Sequence, residues 1–287
     1  MQGFTRSQLV GAIVRDPNGA SPASFENNLA VTTNATRLGT TLTAHATPHT
    51  KAATYTTLIA ATAQIAYGIW IAVYDVGSTG ADTGMLGDFA TGTAAAEVDF
   101  LSNVDFGEAS VSANAGAKFF YFPGLSIPAG SRISARIQAT ITVDTCVVAI
   151  WLDYRAQYQI ANSAWVTYGA NTAASQGTSV LQALNGFGSW IQIGSATSRN
   201  HNLFVPAFDS LGDTSVSAST SLLEIGYGPN AGSVTSIGVF HATMSAIENV
   251  GTCFPSLAAF VVASGSLLWA RLAGTDAESR GVIIYGN

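Results

Sequence analysis

The sequence predicts an all-β protein: two tandem jelly-roll-like β-sandwiches from an internal duplication, preceded by a short N-terminal arm. Three observations predict it. A phrase recurs, with "IPAGSRISARIQA" at residues 127–139 returning as "VASGSLLWARLAG" at 262–274, an offset of 135. Short segments alternate apolar and polar residues, the period of a half-buried strand. Clusters of Gly, Ser, Thr and Asp such as "DVGSTGADTG" and "SANAGAK" punctuate them, as turns do in sandwiches and jelly rolls.

The echo extends along the chain. "YTTLIAATA" (55–63) returns as "WIQIGSATS" (190–198) and "TCVVAIW" (145–151) as "RGVIIYG" (280–286), both at 135. "IWIAVYD" (69–75) returns as "LFVPAFD" (203–209) at 134, and "DFATGTAAAEV" (88–98) as "EIGYGPNAGSV" (224–234) at 136. "FP" at Phe122 and Pro123 returns at Phe254 and Pro255. The order is kept and the period far exceeds that of solenoids or propellers, so each copy is expected to bury its own core. The organisation that follows is an arm at 1–37, copy one at 38–154, a linker at 155–165 and copy two at 166–287.

The elements follow in order. "SQLVGAIVR" (7–15), within the arm, reads as a helical turn or an extended segment. "LIAATAQIA" tempts a helix reading, but its counterpart "WIQIGSATS" carries Gly and β-formers, so both are expected to be strands. "GIWIAVY" and "CVVAIWL" are apolar on both faces and suit central strands. In "SRISARIQA", Ile133, Ala135, Ile137 and Ala139 share one face and Arg132, Ser134, Arg136 and Gln138 the other. Superposed copies would set Ile133 on Leu268 and Arg136 on Arg271. Ile133, Ile137, Val147 and Trp151 are expected in the core.

Composition narrows the function. Hydrophobic residues are 48% of the 287-residue chain and charged residues only 10%, so a folded body is expected with a weakly charged surface. The net charge is −6 and the 11 Lys and Arg are scattered, which argues against nucleic acid as a partner. No secretory signal is visible, and the most apolar stretch (58–74) is short for a spanning helix and interrupted by Gln64, so no membrane insertion is expected.

Motifs for chemistry are sparse. His45 and His49 have i, i+4 spacing, but Pro48 lies between them and no third ligand is near, so no metal is expected. His201 and His241 share no motif. Asp75, Asp82, Asp88, Glu97, Asp99, Asp105 and Glu108 cluster in copy one, where copy two keeps Asp209 and Glu224. They read as a solvated loop face rather than paired catalytic carboxylates or a calcium loop. Nucleophile elbows, Walker loops and dinucleotide fingerprints are absent. Cys146 reads as a buried small hydrophobe and Cys253 as a loop residue. "NAT" at Asn34 has no secretory context. No catalytic residue and no cofactor are expected.

One difference between the copies marks a candidate contact. On the face where copy one has Arg132, Ser134 and Arg136, copy two has Leu267, Trp269 and Arg271. Trp and Arg are favoured interface anchors, so these three are the interface candidates.

The unit "GTTLTAHATPHT…YTTLIAATA…YGIWIAVYDV…DFATGTA…YFPGLSIPAGSRISARIQA…DTCVVAIWL" resembles a β-sandwich module of tailed-bacteriophage virion structural proteins. The resemblance covers copy one closely. Copy two diverges, with "ASGS" for "PAGS". It implies a non-enzymatic virion component on the particle exterior, with tail or baseplate attachment slightly favoured and head decoration (cement) as the alternative. The partners implied are other virion proteins and copies of itself in a homo-oligomer, with a host-surface glycan as a further candidate. A pair of carbohydrate-binding modules, using Trp165 or Tyr168 near the junction, is the reading from another class.

Overall fold

The computed structural model describes residues 25–27, 39–74, 76, 83–109, 118–155, 164–209, 211, 219–244 and 257–287. Most of the arm lies outside the described residues, as do Asn34, Asp75, Asp82, Cys253, Phe254 and Pro255. The chain is all-β. The first half holds β1 (Phe25–Asn27), β2 (Thr40–Thr43), β3 (Thr56–Ile59), β4 (Ala66–Tyr74), β5 (Thr83–Thr91), β6 (Val98–Ala109), β7 (Lys118–Ile127), β8 (Ile133–Ala139) and β9 (Thr145–Asp153). The second holds β10 (Val166–Tyr168), β11 (Thr178–Leu184), β12 (Ile191–Gln192), β13 (His201–Asp209), β14 (Ser219–Gly228), β15 (Thr235–Met244), β16 (Ala258–Val262), β17 (Leu267–Gly274) and β18 (Ser279–Gly286).

The pairing order is the same in both halves. In the first, β2-β9-β4-β7 faces β3-β8-β5-β6. In the second, β11-β18-β13-β16 faces β12-β17-β14-β15. The leading strands β1 and β10 pair with β9 and β18 respectively. This is a jelly-roll arrangement of antiparallel strands. One parallel contact, Gln182 to Leu184 of β11 against β17, joins the second half's two sheets.

Register repeats as well as order. Asp88 lies opposite Arg136 and Glu224 opposite Arg271. Thr56 lies opposite Ala135 and Ile191 opposite Ala270. The turn before the repeated strand is held the same way twice. Thr62 Oγ1 donates to Pro128 O at 2.8 Å and Thr197 Oγ1 to Ala263 O at 2.9 Å. Gly130 N and Gly265 N donate to the carbonyls of Thr62 and Thr197, each at 2.7 Å. Both glycines have positive φ, +78° and +85°, a conformation that favours a residue without Cβ. That requirement keeps "AGS" in one copy and "SGS" in the other.

The alternating face is assigned as expected: Ile133, Ala135, Ile137 and Ala139 are buried in the first core, and Leu268, Ala270 and Leu272 in the second. Three expectations need correction. The strands at "LIAATAQIA" and "WIQIGSATS" end early, at Ile59 and Gln192, because the following residues form the arch that reaches the glycine turn. Val147 is buried as expected, but Trp151 is only half-buried, because it alternates with Ile150 and Leu152, which take the inner face. Nor does each half bury its own core alone. Phe204, Phe208, Val282 and Ile284 line the second core, while their alternating neighbours Leu203, Val205, Ala207, Ile283 and Tyr285 pack into the first. The outer face of the β13–β18 sheet thus closes the open end of the first sandwich between edge strands β6 and β7.

Candidate functional site

Charged and aromatic residues come together on the outer face of the β8–β5 sheet. Arg136 Nε reaches Asp88 Oδ2 at 2.9 Å, Lys51 Nζ approaches the same carboxylate at 2.8 Å, and the Arg136 guanidinium lies 4.4 Å over the Tyr55 ring. Tyr55 OH donates to Asp99 at 2.5 Å. Burial first, then that bond, holds the Tyr55 phenol far above its ordinary range. Arg132 pairs with Glu97 at 2.7 Å.

The second half repeats this grouping. Arg271 pairs with Glu224 at 2.6 Å and stacks 4.4 Å over Trp190 and 4.8 Å over Phe187. Arg136 and Arg271, Tyr55 and Trp190, Asp88 and Glu224 all sit at offsets of 135 or 136. Both groupings act as clasps. Lys51 and Tyr55 belong to the segment before β3, and Phe187 and Trp190 to the segment before β12. Each segment is laid along the repeated strand by matching backbone bonds. His49 N and Ala52 N donate to Ala139 O and Ile137 O, and Asn185 N and Gly188 N to Gly274 O and Leu272 O.

Asp88 and Asp105, read from the sequence as part of a solvated face, are instead buried. Asp88 and Asp105 are each 2% exposed, and each is neutralised by a cation brought from another strand or segment, as burial of a carboxylate requires. Sequence spacing could not show the pairing, since Lys51 and Arg136 lie far from Asp88 along the chain. The clasp signal was present, however, in the charge and ring types retained at the common offset.

The interface candidates separate. Arg271 belongs to the clasp. Trp269 is 8% exposed and donates its indole N–H to Gly228 O at 2.9 Å. Leu267 is half-buried on the same strand. Trp269 is covered within its own chain, so a partner is not needed to bury it.

A second polar group fills the seam between the halves. Lys118 Nζ donates to Asp105 Oδ2 at 2.7 Å and to Phe208 O at 3.0 Å. The amide of Asp105 donates to Tyr285 OH at 2.7 Å. Asp209, also buried, accepts from Gly177 N at 2.8 Å and Leu211 N at 2.9 Å. Burial, then the neighbouring Asp105, pushes the Asp209 carboxyl up to about 6. The Tyr285 ring meets Phe120 and Phe122 edge-on, and Phe122 meets Trp165. Trp165 and Tyr168 are 5% and 4% exposed. Both serve packing, and neither stands out as a sugar platform.

The histidines are dispersed. His45 Nδ1 accepts from Thr47 N, and His49 Nδ1 lies 3.1 Å from Ser175 Oγ. His201 is buried 2.7 Å from Tyr168 OH, and burial, then Arg199, lowers its value to about 4. His241 is exposed. Among the described residues, no three His, Cys, Asp or Glu side chains approach closely enough to hold a metal ion. Cys146 is buried in β9 and forms no disulfide. No described helix is long and apolar enough to cross a membrane. A shallow cleft of about 130 Å³ lies between Val98, Phe100, Pro128 and Ala164.

Fold and site together define a class: a protein of two tandem jelly-roll-like sandwiches whose ionisable side chains fasten covers and seams. No family model matches the chain, and no curated protein matches it. Among solved structures it is similar to the STIV MCP, a viral major capsid protein, at 8% identity and TM-score 0.34, over 86% of this chain and 96% of that one. It is similar to PNGF-II at 7% identity and TM-score 0.42, over 92% and 66%. A third similarity is to infectious bursal disease virus, Gx strain, at 12% identity and TM-score 0.23, over 79% and 58%. None of these likenesses carries the functional argument.

Proposed function

We propose that the chain is a non-enzymatic structural protein of a bacteriophage particle, built from two duplicated units at 38–154 and 166–287. It sits on the particle exterior, with tail or baseplate attachment favoured over head decoration. The observation that carries the reading is the use made of the charged side chains. Asp88, Asp105, Glu224, Lys118, Arg136 and Arg271 are all paired within the chain, where they stiffen the body. The resemblance of copy one to virion β-sandwich modules supports the same reading, as does the weakly charged surface. Its partners are other virion proteins and further copies of itself.

Antibody labelling of purified particles tests this. Label at the tail tip is expected. Label spread over the head would favour the cement alternative, and a chain missing from washed particles would end the structural reading.

A further inference from the structure

The clasps repeat between the halves, but the Lys118–Asp105 pair at the seam does not. Asp105 lies opposite Leu86, and opposite the matching Leu222 the second half has His241. Lys118 and Asp105 are 4% and 2% exposed. They sit on β7 and β6, which end the two facing sheets of the first sandwich.

The pair is an amine set against a carboxyl. Lys118 Nζ lies 2.7 Å from Asp105 Oδ2 and is also held by Phe208 O at 3.0 Å. The other carboxyl oxygen, Oδ1, accepts from Gly107 N at 2.7 Å. Gly107 has a φ of +83°, and a Cβ there would lie 2.7 Å from Lys118 Cε and 2.9 Å from Nζ, so the approach needs a residue without Cβ. Phe208 and Tyr285, which reach the pair from the second half, are buried as well. The carboxyl of Asp209, at the same seam, is pushed up by burial and then by Asp105. That shift favours its neutral form, and a second anion would hold the proton on Lys118.

We propose that Lys118 Nζ and the Asp105 carboxyl condense to an amide, an isopeptide cross-link that ties β7 to β6 within the chain. The structure holds the pair before reaction. A proton first passes from Nζ to Oδ2 along their hydrogen bond, which removes two buried charges and their desolvation cost. The neutral amine then attacks Asp105 Cγ. Negative charge gathers on Oδ1, where the Gly107 N–H already points, as an oxyanion donor must. The C–N bond forms, the Cγ–Oδ2 bond breaks, and Oδ2 leaves as water with one of the amine protons. Nothing is oxidised or reduced. Holding amine and carboxyl in contact supplies the effective concentration that a condensation in water lacks. The inference rests on the seam and not on the particle reading.

Peptide mass mapping of the full chain tests it. Between Lys51 and Arg132 the chain has one tryptic site, after Lys118, and an amide at Nζ abolishes that cut. Protein incubated in the folded state, then denatured and digested, is expected to give a single 52–132 peptide lighter than its sequence by one water. Lys118→Arg keeps the charge without the amine. It is expected to restore the cut, giving peptides 52–118 and 119–132 at their full masses. Separate, full-mass peptides from the wild type overturn the proposal. So does a water lost while the cut after Lys118 persists, or a water still lost from this region in the Lys118→Arg chain.

Discussion

Ile133 is fully buried at the centre of the first core, and its counterpart Leu268 is fully buried in the second. Truncating such a side chain removes its transfer free energy and leaves a cavity. Ile133→Ala is expected to cost about 2–5 kcal/mol, read as a lower denaturant midpoint. Two titratable residues respond to pH with opposite sign. Asp209 has its folded value raised to about 6, above an unfolded value of about 3.9. The folded state therefore holds that proton more tightly, and its contribution is greatest below about 4 and lost as pH rises through 6. His201 has its folded value lowered from 6.5 to about 4, so its contribution is full above 6.5 and lost as pH falls toward 4. Asp209→Asn should remove the loss on raising pH from about 4 to 6 and leave a steeper acid sensitivity from His201. Stability curves over pH that coincide for the two proteins would contradict this.

Among the elements, the glycine turn before the repeated strand offers a paired test. Thr62 accepts from Ser131 N at 3.1 Å and Thr197 from Ser266 N at 3.0 Å, besides donating to the carbonyls already described. Replacing either Thr by Val keeps the shape and leaves a partly buried amide and carbonyl without that partner. Each change is expected to cost about 0.5–1.5 kcal/mol. The two costs should be alike, because the two turns are built alike. A neutral Thr197→Val beside a costly Thr62→Val would show that the second turn is held by something else. The clasps work at this level too: an arginine set between a carboxylate and a ring fixes the segment before β3 or β12 over the sheet.

For the whole molecule, the shared core is the governing feature. Lys118, 4% exposed, bridges the first half's Asp105 and the second half's Phe208 carbonyl. Lys118→Met leaves the Asp105 carboxylate buried without its cation, which typically costs about 3–5 kcal/mol. Because Lys118 also holds the Asp209 value down, the same change should move the Asp209 titration upward. The unmodified chain is expected to unfold in one transition, since each half completes the other's burial. Two separate transitions in calorimetry would show that the halves fold independently.

Local periodicity carried much of this architecture. Residues two apart on a strand share a face, so "SRISARIQA" alone determined which side of β8 enters the core. The common offset likewise matched Tyr55, Asp88 and Arg136 with Trp190, Glu224 and Arg271. In β4/β13 and β9/β18, however, it set Ile71 on Val205 and Ile150 on Tyr285, inner residues on outer ones, so there the structure shifts the match by one residue. Alternation says that a strand has two faces but not what covers the second. Only the tertiary structure decided that Tyr285 and Val205 close the neighbouring sandwich, that Asp88 and Asp105 are buried in ion pairs, and that Trp151 faces outward while Ile150 faces in. These outcomes depend on contacts between residues remote in the chain, where packing, and not backbone period, selects the partner.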